Sequence, residues 1–177
     1  AASDVYKRQF QYGGMSFVDF AHLNRGNIKN GILDYNRQKT GTSMRLEVLD
    51  TAEAMYKELA GERTGGSGYL FPFLSGTKNG HEEYLEYNAA LSRFNRNLKT
   101  LKEVAGIAPD VTSYTIRHSF AMALKEQNVP IEMISELLGH KSIKTTQIYL
   151  RSFSLEKMAV VNKSCFENVY NYIPEVG

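Results

Sequence analysis

The sequence lacks several features that would assign it to common classes of protein. It has a single cysteine, Cys165, among 177 residues, which excludes an internal disulfide framework and a cysteine-rich zinc site. It contains no run of about 18 apolar residues that could form a membrane span. The first residues show no basic segment followed by an apolar one, as a secretory signal would. Together these absences predict a cytoplasmic protein.

The positive charge of the chain is unevenly distributed. The formal net charge is only +2, too small by itself to indicate a nucleic-acid partner. Basic residues nevertheless concentrate in 24–48, 91–104 and 140–157, whereas acidic residues gather in 50–62 and 82–86. If the three basic stretches meet in the fold, they form a positive face able to bind phosphates. Three separate solvated surfaces are the alternative.

Apolar spacing and turn residues predict a mainly α domain with a small antiparallel sheet (α+β). Alternation on both sides of Lys39-Thr-Gly41 predicts a β-hairpin. The helices are expected over 10–23 (interrupted at Gly13-Gly14), 51–59, 82–104, from Thr112 or Ser113 to Gln127, from Pro130 to a left-handed cap at Gly139, 143–150 after a Ser142 cap, and 155–171. In the helix over 82–104 the residues expected near the buried face are Leu85, Ala89, Phe94, Leu98 and Leu101.

Two segments carry the most specific pattern. The first is Thr112-Ser-Tyr-Thr-Ile-Arg-His-Ser-Phe-Ala121, and the second is Glu136-Leu-Leu-Gly-His-Lys-Ser-Ile-Lys-Thr-Thr-Gln-Ile-Tyr149, in which Tyr149 follows His140 by nine residues. Together they resemble the catalytic core of the tyrosine recombinases, the phage integrase family. The resemblance extends over nearly the whole chain from Phe10, and 14–23 and 27–41 resemble the subgroup carried on bacterial conjugative and mobilisable elements.

The resemblance implies the tyrosine recombinase fold and site-specific DNA recombination or integration, with no metal ion or other cofactor. Tyr149 would attack the scissile phosphate and hold it as a 3′-phosphotyrosine. Arg117 would clamp two nonbridging oxygens, and His140 would contact the phosphate or act on the tyrosine proton. Lys39 would protonate the departing 5′-oxygen. Taken singly each residue type has an ordinary structural role, so the combined spacing carries the assignment.

Two positions depart from the family pattern. Tyr114 stands where the family has its first histidine, and Ser16 stands where it has its first catalytic arginine. Losing one guanidinium would cost about 2–4 kcal/mol of transition-state stabilisation unless another donor substitutes. The candidates for that substitution are Arg25, Arg37 and Arg45. His118 is expected to hydrogen-bond within the core behind the site.

Double-stranded DNA is the partner that the resemblance implies. The residues expected to contact it are Arg37, Arg93, Arg96, Lys141 and Lys144. Residues 1–9 are expected to be a non-native or truncated start, and 10–177 a catalytic domain that lacks the family's N-terminal core-binding domain. The full-length protein would form a tetramer on DNA, and the fragment alone a monomer.

The apolar stripe of 155–170 would dock on a neighbouring subunit or pack on its own domain. Two other functions remain open at this point. One is a catalytically weakened DNA-binding relative, with Ser16 and Tyr114 as marks of decay. The other is DNA relaxation of the related tyrosine topoisomerase type.

Overall fold

A computed structural model describes residues 9–48, 68–106 and 110–150. Along these ranges the elements are α1 (Phe17–His22), a 3₁₀ helix (Arg25–Asn27), β1 (Ile28–Lys29), β2 (Ile32–Asn36), β3 (Ser43–Glu47), α2 (Gly80–Val104), α3 (Ser113–Glu126), α4 (Ile131–Leu137) and α5 (Ile143–Tyr149). The predicted fold class, mainly α with a small antiparallel sheet, is confirmed. The helices predicted over 51–59 and 155–171 lie outside the described residues. None of the described helices is long and apolar enough to cross a membrane.

The three strands form one antiparallel sheet in the order β1-β2-β3. Leu33 and Tyr35 of β2 are buried and alternate with exposed neighbours, as expected for a strand with one face on the core. A turn over 37–42 joins β2 to β3, closed by the N–H of Gly41 donating to the carbonyl of Arg37 at 2.8 Å. The hairpin predicted around Lys39-Thr-Gly41 is therefore confirmed.

The main core is an aromatic cluster that joins α1, the segment 69–74 and α2. The ring centroids of Phe17 and Phe94 lie 4.6 Å apart, and those of Phe20 and Phe71 lie 4.2 Å apart. Apart from one isolated bridge at Tyr69, the segment is irregular, and it contains Pro72, which has no N–H to donate to a neighbouring strand. These contacts hold α1 against α2.

The buried face of α2 differs from the predicted one. Ala90, Phe94 and Leu98 are buried, whereas Leu85 is 54% exposed and Ala89 is also exposed. Leu85 precedes Phe94 by nine residues, which is about two and a half helical turns, so the two side chains point to opposite sides. The prediction was wrong for Leu85 and Ala89 because it allowed too wide an apolar stripe.

The helix ends near the site follow their local sequence. The Thr112 hydroxyl accepts the N–H of Thr115, and that of Ser142 accepts the N–H of Lys144, as N-caps do. Gly139 has a φ of 62° just after α4, the left-handed geometry predicted for it. Pro130 is the N-cap of α4 rather than its first helical residue. Ala121, Ile134 and Leu138 form the core between these helices.

Candidate active site

Arg117 is a buried arginine on α3 whose guanidinium joins two distant parts of the chain. It is 5% exposed. Nη1 donates to the carbonyl of Gly14 at 3.1 Å, and Nη2 donates to that of Leu138 at 2.5 Å. Gly14 has a φ of 60°, and a Cβ there would lie 2.7 Å from Cβ of Phe120. A glycine is therefore needed to present this carbonyl to Arg117.

His140 lies beside Arg117, just beyond the end of α4. Its Nε2 is 3.3 Å from Nη2 of Arg117, and its Nδ1 is 2.9 Å from Oγ1 of Thr146. Burial, followed by the positive charges of Arg117 and Arg37, lowers the pKa of His140 to about 4. The imidazole is therefore neutral near neutral pH.

This low pKa predicts a loss of stability in acid. The ordinary pKa of 6.5 lies above the folded value of about 4, so the unfolded chain takes up the proton first as the pH falls. We expect the free energy of unfolding to decrease from pH 6.5 down to pH 4 because of this group. Urea unfolding across that interval, compared with His140→Gln, measures the contribution. Parallel pH profiles for the two chains would contradict it.

Arg37 is a second buried arginine at the end of α4. It is 8% exposed, its Nη1 donates to the carbonyl of Gly139 at 2.7 Å, and its Nε donates to Oδ2 of Asp19 at 3.3 Å. A Cβ on Gly139 would lie 2.6 Å from Cδ of Arg37. Glycine at this position thus allows both the left-handed turn and the close approach of the arginine side chain.

Asp19 of α1 holds this corner of the site together. Its side chain is fully buried, and Oδ2 accepts the hydroxyl of Ser16 at 2.5 Å as well as Arg37. Oδ1 accepts the backbone N–H of Gln38 at 2.7 Å. The carboxylate therefore positions both the Arg37 guanidinium and the hairpin turn that carries Lys39.

The structure thus brings Arg37, Arg117 and His140 together around the end of α4. The carbonyl of Leu138 accepts Arg117, that of Gly139 accepts Arg37, and His140 is the next residue. Two guanidiniums and a neutral imidazole in a largely buried cluster suit an anion with several oxygens, such as a phosphodiester.

The other residues predicted to be catalytic lie on the hairpin turn, on α3 and on α5. Lys39 is exposed in the hairpin turn, two residues after Arg37. Tyr114 is 59% exposed in the first turn of α3. His118 follows Arg117 on α3 and is half-buried, and Tyr149 is the last residue of α5.

The residues predicted to contact DNA divide into two groups. Those on the surface are Arg93, Arg96, Lys141 and Lys144. Arg37 was predicted with them, but it is buried and paired with Asp19. It therefore belongs to the interior cluster and not to the surrounding surface. Arg25 and Arg45, the other candidates for the missing guanidinium, are exposed.

Asp19 and Thr146 were missed by the sequence reasoning. Asp19 is an acid among the apolar residues of α1, three residues after Ser16, and this misplaced charge was the available signal. Thr146 is 0% exposed and precedes Tyr149 by three residues. Nothing in its sequence context distinguishes it from the exposed Thr145 beside it.

Comparison with curated proteins finds tyrosine recombinases among the relatives of this chain. Tyrosine recombinase XerA of Pyrococcus furiosus is 35% identical over 144 residues, which are 81% of this chain and 47% of that protein. Tyrosine recombinase XerC of Rickettsia prowazekii is 35% identical over 116 residues, which are 55% of this chain and 38% of that protein. The chain spans less than half the length of these relatives.

Solved structures share the fold and confirm its predicted type. A crystal structure of XerA recombinase has a TM-score of 0.66 at 21% identity and covers 91% of this chain and 61% of that one. The Tn1549 transposon integrase, solved in complex with transposon right end DNA, has a TM-score of 0.63 at 12% identity and covers 91% of this chain and 57% of that one. The model of the phage integrase family matches residues 11–156. This chain is therefore a member of the phage integrase family.

Proposed function

We propose that the protein is a site-specific tyrosine recombinase that cleaves and rejoins double-stranded DNA through a 3′-phosphotyrosine bond. The observation that carries the proposal is the cluster of Arg37, Arg117 and His140 in a chain whose Tyr149 follows His140 by nine residues. Relatives of the same family bear the name tyrosine recombinase, which supports it. The complete protein would act in the cytoplasm as a tetramer on DNA, on a mobile element.

The proposed reaction gives a role to Tyr149, Lys39, the two guanidinium groups and His140. The Tyr149 oxygen attacks phosphorus, the bond from phosphorus to the 5′-oxygen breaks, and Lys39 protonates the departing oxygen. The guanidinium groups hold the nonbridging oxygens as negative charge develops on them. His140 contacts the phosphate or moves the tyrosine proton. Exposed Arg93, Arg96, Lys141 and Lys144 would bind phosphates along the duplex.

We infer that Arg37 supplies the guanidinium that Ser16 does not. Ser16 donates its hydroxyl to Asp19, and the same carboxylate oxygen accepts Arg37, so the two residues meet at one atom. Of the three candidate arginines, Arg37 is the buried one, and its charge contributes to the low pKa of His140. These contacts support an active enzyme over a decayed relative.

Arg37→Lys tests this role. Lysine keeps a positive charge beside Asp19 but loses the planar fork, so the fold should persist while single-turnover cleavage falls about 10²-fold. The matched control is Arg45→Lys, an exposed arginine on β3 of the same hairpin, which should cleave at the unchanged rate. Equal effects at the two positions, or no effect at Arg37, would contradict the assignment.

The function itself is tested with a pool of randomised duplex oligonucleotides carrying a nick near the middle. When cleavage occurs beside the nick, the short fragment with the new 5′-hydroxyl diffuses away and cannot rejoin. The covalent adduct therefore accumulates and is isolated on a denaturing gel. After trypsin, which cuts after Lys144 and Arg151, the nucleotide should be found on the peptide 145–151. No adduct, or an adduct on a different peptide, would refute the proposal.

A further inference from the structure

Thr146 is a buried polar residue for which the proposed reaction has no role. It is 0% exposed on α5, and its Oγ1 is 2.9 Å from Nδ1 of His140. The other ring nitrogen of His140 is 3.3 Å from Nη2 of Arg117. The three side chains therefore form a chain of hydrogen bonds across α3, the end of α4 and α5.

The chemistry of the donors decides where the imidazole proton lies. A guanidinium can only donate, so Nε2 of His140 must accept from Arg117. A neutral imidazole with an accepting Nε2 carries its proton on Nδ1, and this N–H donates to Oγ1 of Thr146. The low pKa of His140 agrees with a neutral ring. The opposite tautomer would set two N–H donors against each other.

Resting on the proposed function, we propose that Thr146 is a positioning residue that holds His140 in the Nδ1–H tautomer, so that Nε2 takes the proton of Tyr149. Thr146 lies about one helical turn before Tyr149 on α5. Its hydrogen bond therefore ties the proton acceptor to the helix that carries the nucleophile, the arrangement in which a third group orients a catalytic base.

The proton balance of the step is complete. The Tyr149 proton passes to Nε2 as the phenolic oxygen bonds to phosphorus, and the departing 5′-oxygen takes a proton from Lys39. His140 becomes an imidazolium beside the phosphate, with Nδ1–H still donating to Thr146. In the DNA-free site Nε2 accepts from Arg117, and it becomes available when Arg117 donates to the bound phosphate instead.

Three substitutions separate this role from a merely structural one. Thr146→Val keeps the shape but removes the acceptor, Thr146→Ser keeps the acceptor, and Thr145→Val makes the same change at the exposed neighbour. The ¹⁵N chemical shifts of His140, assigned with His140→Gln, report the tautomer in the DNA-free protein. The shifts are recorded at a pH above the pKa of His140, where the ring is neutral. The charged groups that face the ring, Arg117, Arg37 and the Asp19 carboxylate bonded to Arg37, are unchanged in all these variants. The reaction is measured as single-turnover cleavage of the nicked duplex whose sequence is recovered from the covalent adduct.

We expect the wild-type protein and Thr146→Ser to show the Nδ1–H tautomer, and Thr146→Val to lose it. Cleavage should fall about 10²-fold in Thr146→Val, with DNA affinity unchanged, and should recover in Thr146→Ser. Thr145→Val should match the wild type in both measurements.

An Nε2–H tautomer in the wild-type protein would overturn the proposal whether or not any variant folds. The proposal would also be overturned if Thr146→Val cleaved DNA at the wild-type rate, or if Thr146→Ser cleaved it as slowly as Thr146→Val. A wild-type protein that shows the Nδ1–H tautomer but forms no adduct with DNA would instead refute the proposed function.

Discussion

Replacing Tyr149 with phenylalanine is expected to abolish the covalent protein–DNA adduct while the fold persists. The substitution removes only the phenolic oxygen, which is the nucleophile of the proposed reaction, and phenylalanine and tyrosine have similar helix propensities. Since that oxygen is the proposed nucleophile, adduct formation should fall by at least about 10⁴-fold. A time course on denaturing gels with the nicked duplex measures it.

Tyr84→Phe is the matched control for that experiment. Tyr84 lies on α2, is 60% exposed and stacks on His81, so the loss of its hydroxyl should leave the adduct yield unchanged. Adduct formation by Tyr149→Phe at the wild-type rate would show that the nucleophile is another residue. The circular dichroism spectra of both variants should match that of the wild type.

Arg117→Ala should reduce single-turnover cleavage by about 10³-fold with a much smaller loss of DNA affinity. In the proposed reaction its guanidinium holds the nonbridging oxygens, and the charge on them increases in the transition state, so its contribution would be greatest there. Alanine also leaves the buried carbonyls of Gly14 and Leu138 without this donor, at a cost of about 1–3 kcal/mol each. The same variant is therefore expected to be less stable.

Arg117→Lys distinguishes the two effects. Lysine keeps a buried positive charge with donors for these carbonyls but lacks the fork, so stability should recover more than cleavage does. Urea unfolding and single-turnover rates are measured on both variants, with Arg45→Ala at an exposed position of β3 as the control. If the cleavage rate followed the folded fraction alone, Arg117 would have a structural role only.

The sequence by itself determined the features that depend on neighbouring residues. The hairpin at Lys39-Thr-Gly41 and the cap at Ser142 are confirmed, and of the two predicted caps Thr112 and Ser113 the structure has Thr112. A turn or a cap can be predicted because it is formed by residues only a few positions apart. The family was also identifiable from sequence, since the spacing from His140 to Tyr149 is a local property. The roles assigned to those two residues stay predictions.

Only the tertiary structure decided which arginine joins the site. Arg25, Arg37 and Arg45 are equivalent candidates in sequence, yet Arg37 is the one that meets Asp19, 18 residues away, and the Gly139 carbonyl, 102 residues away. The same holds for Thr146, since the burial that distinguishes it from Thr145 depends on packing between helices. The physical reason is that a buried charge or hydroxyl is stable only where distant groups supply its hydrogen bonds.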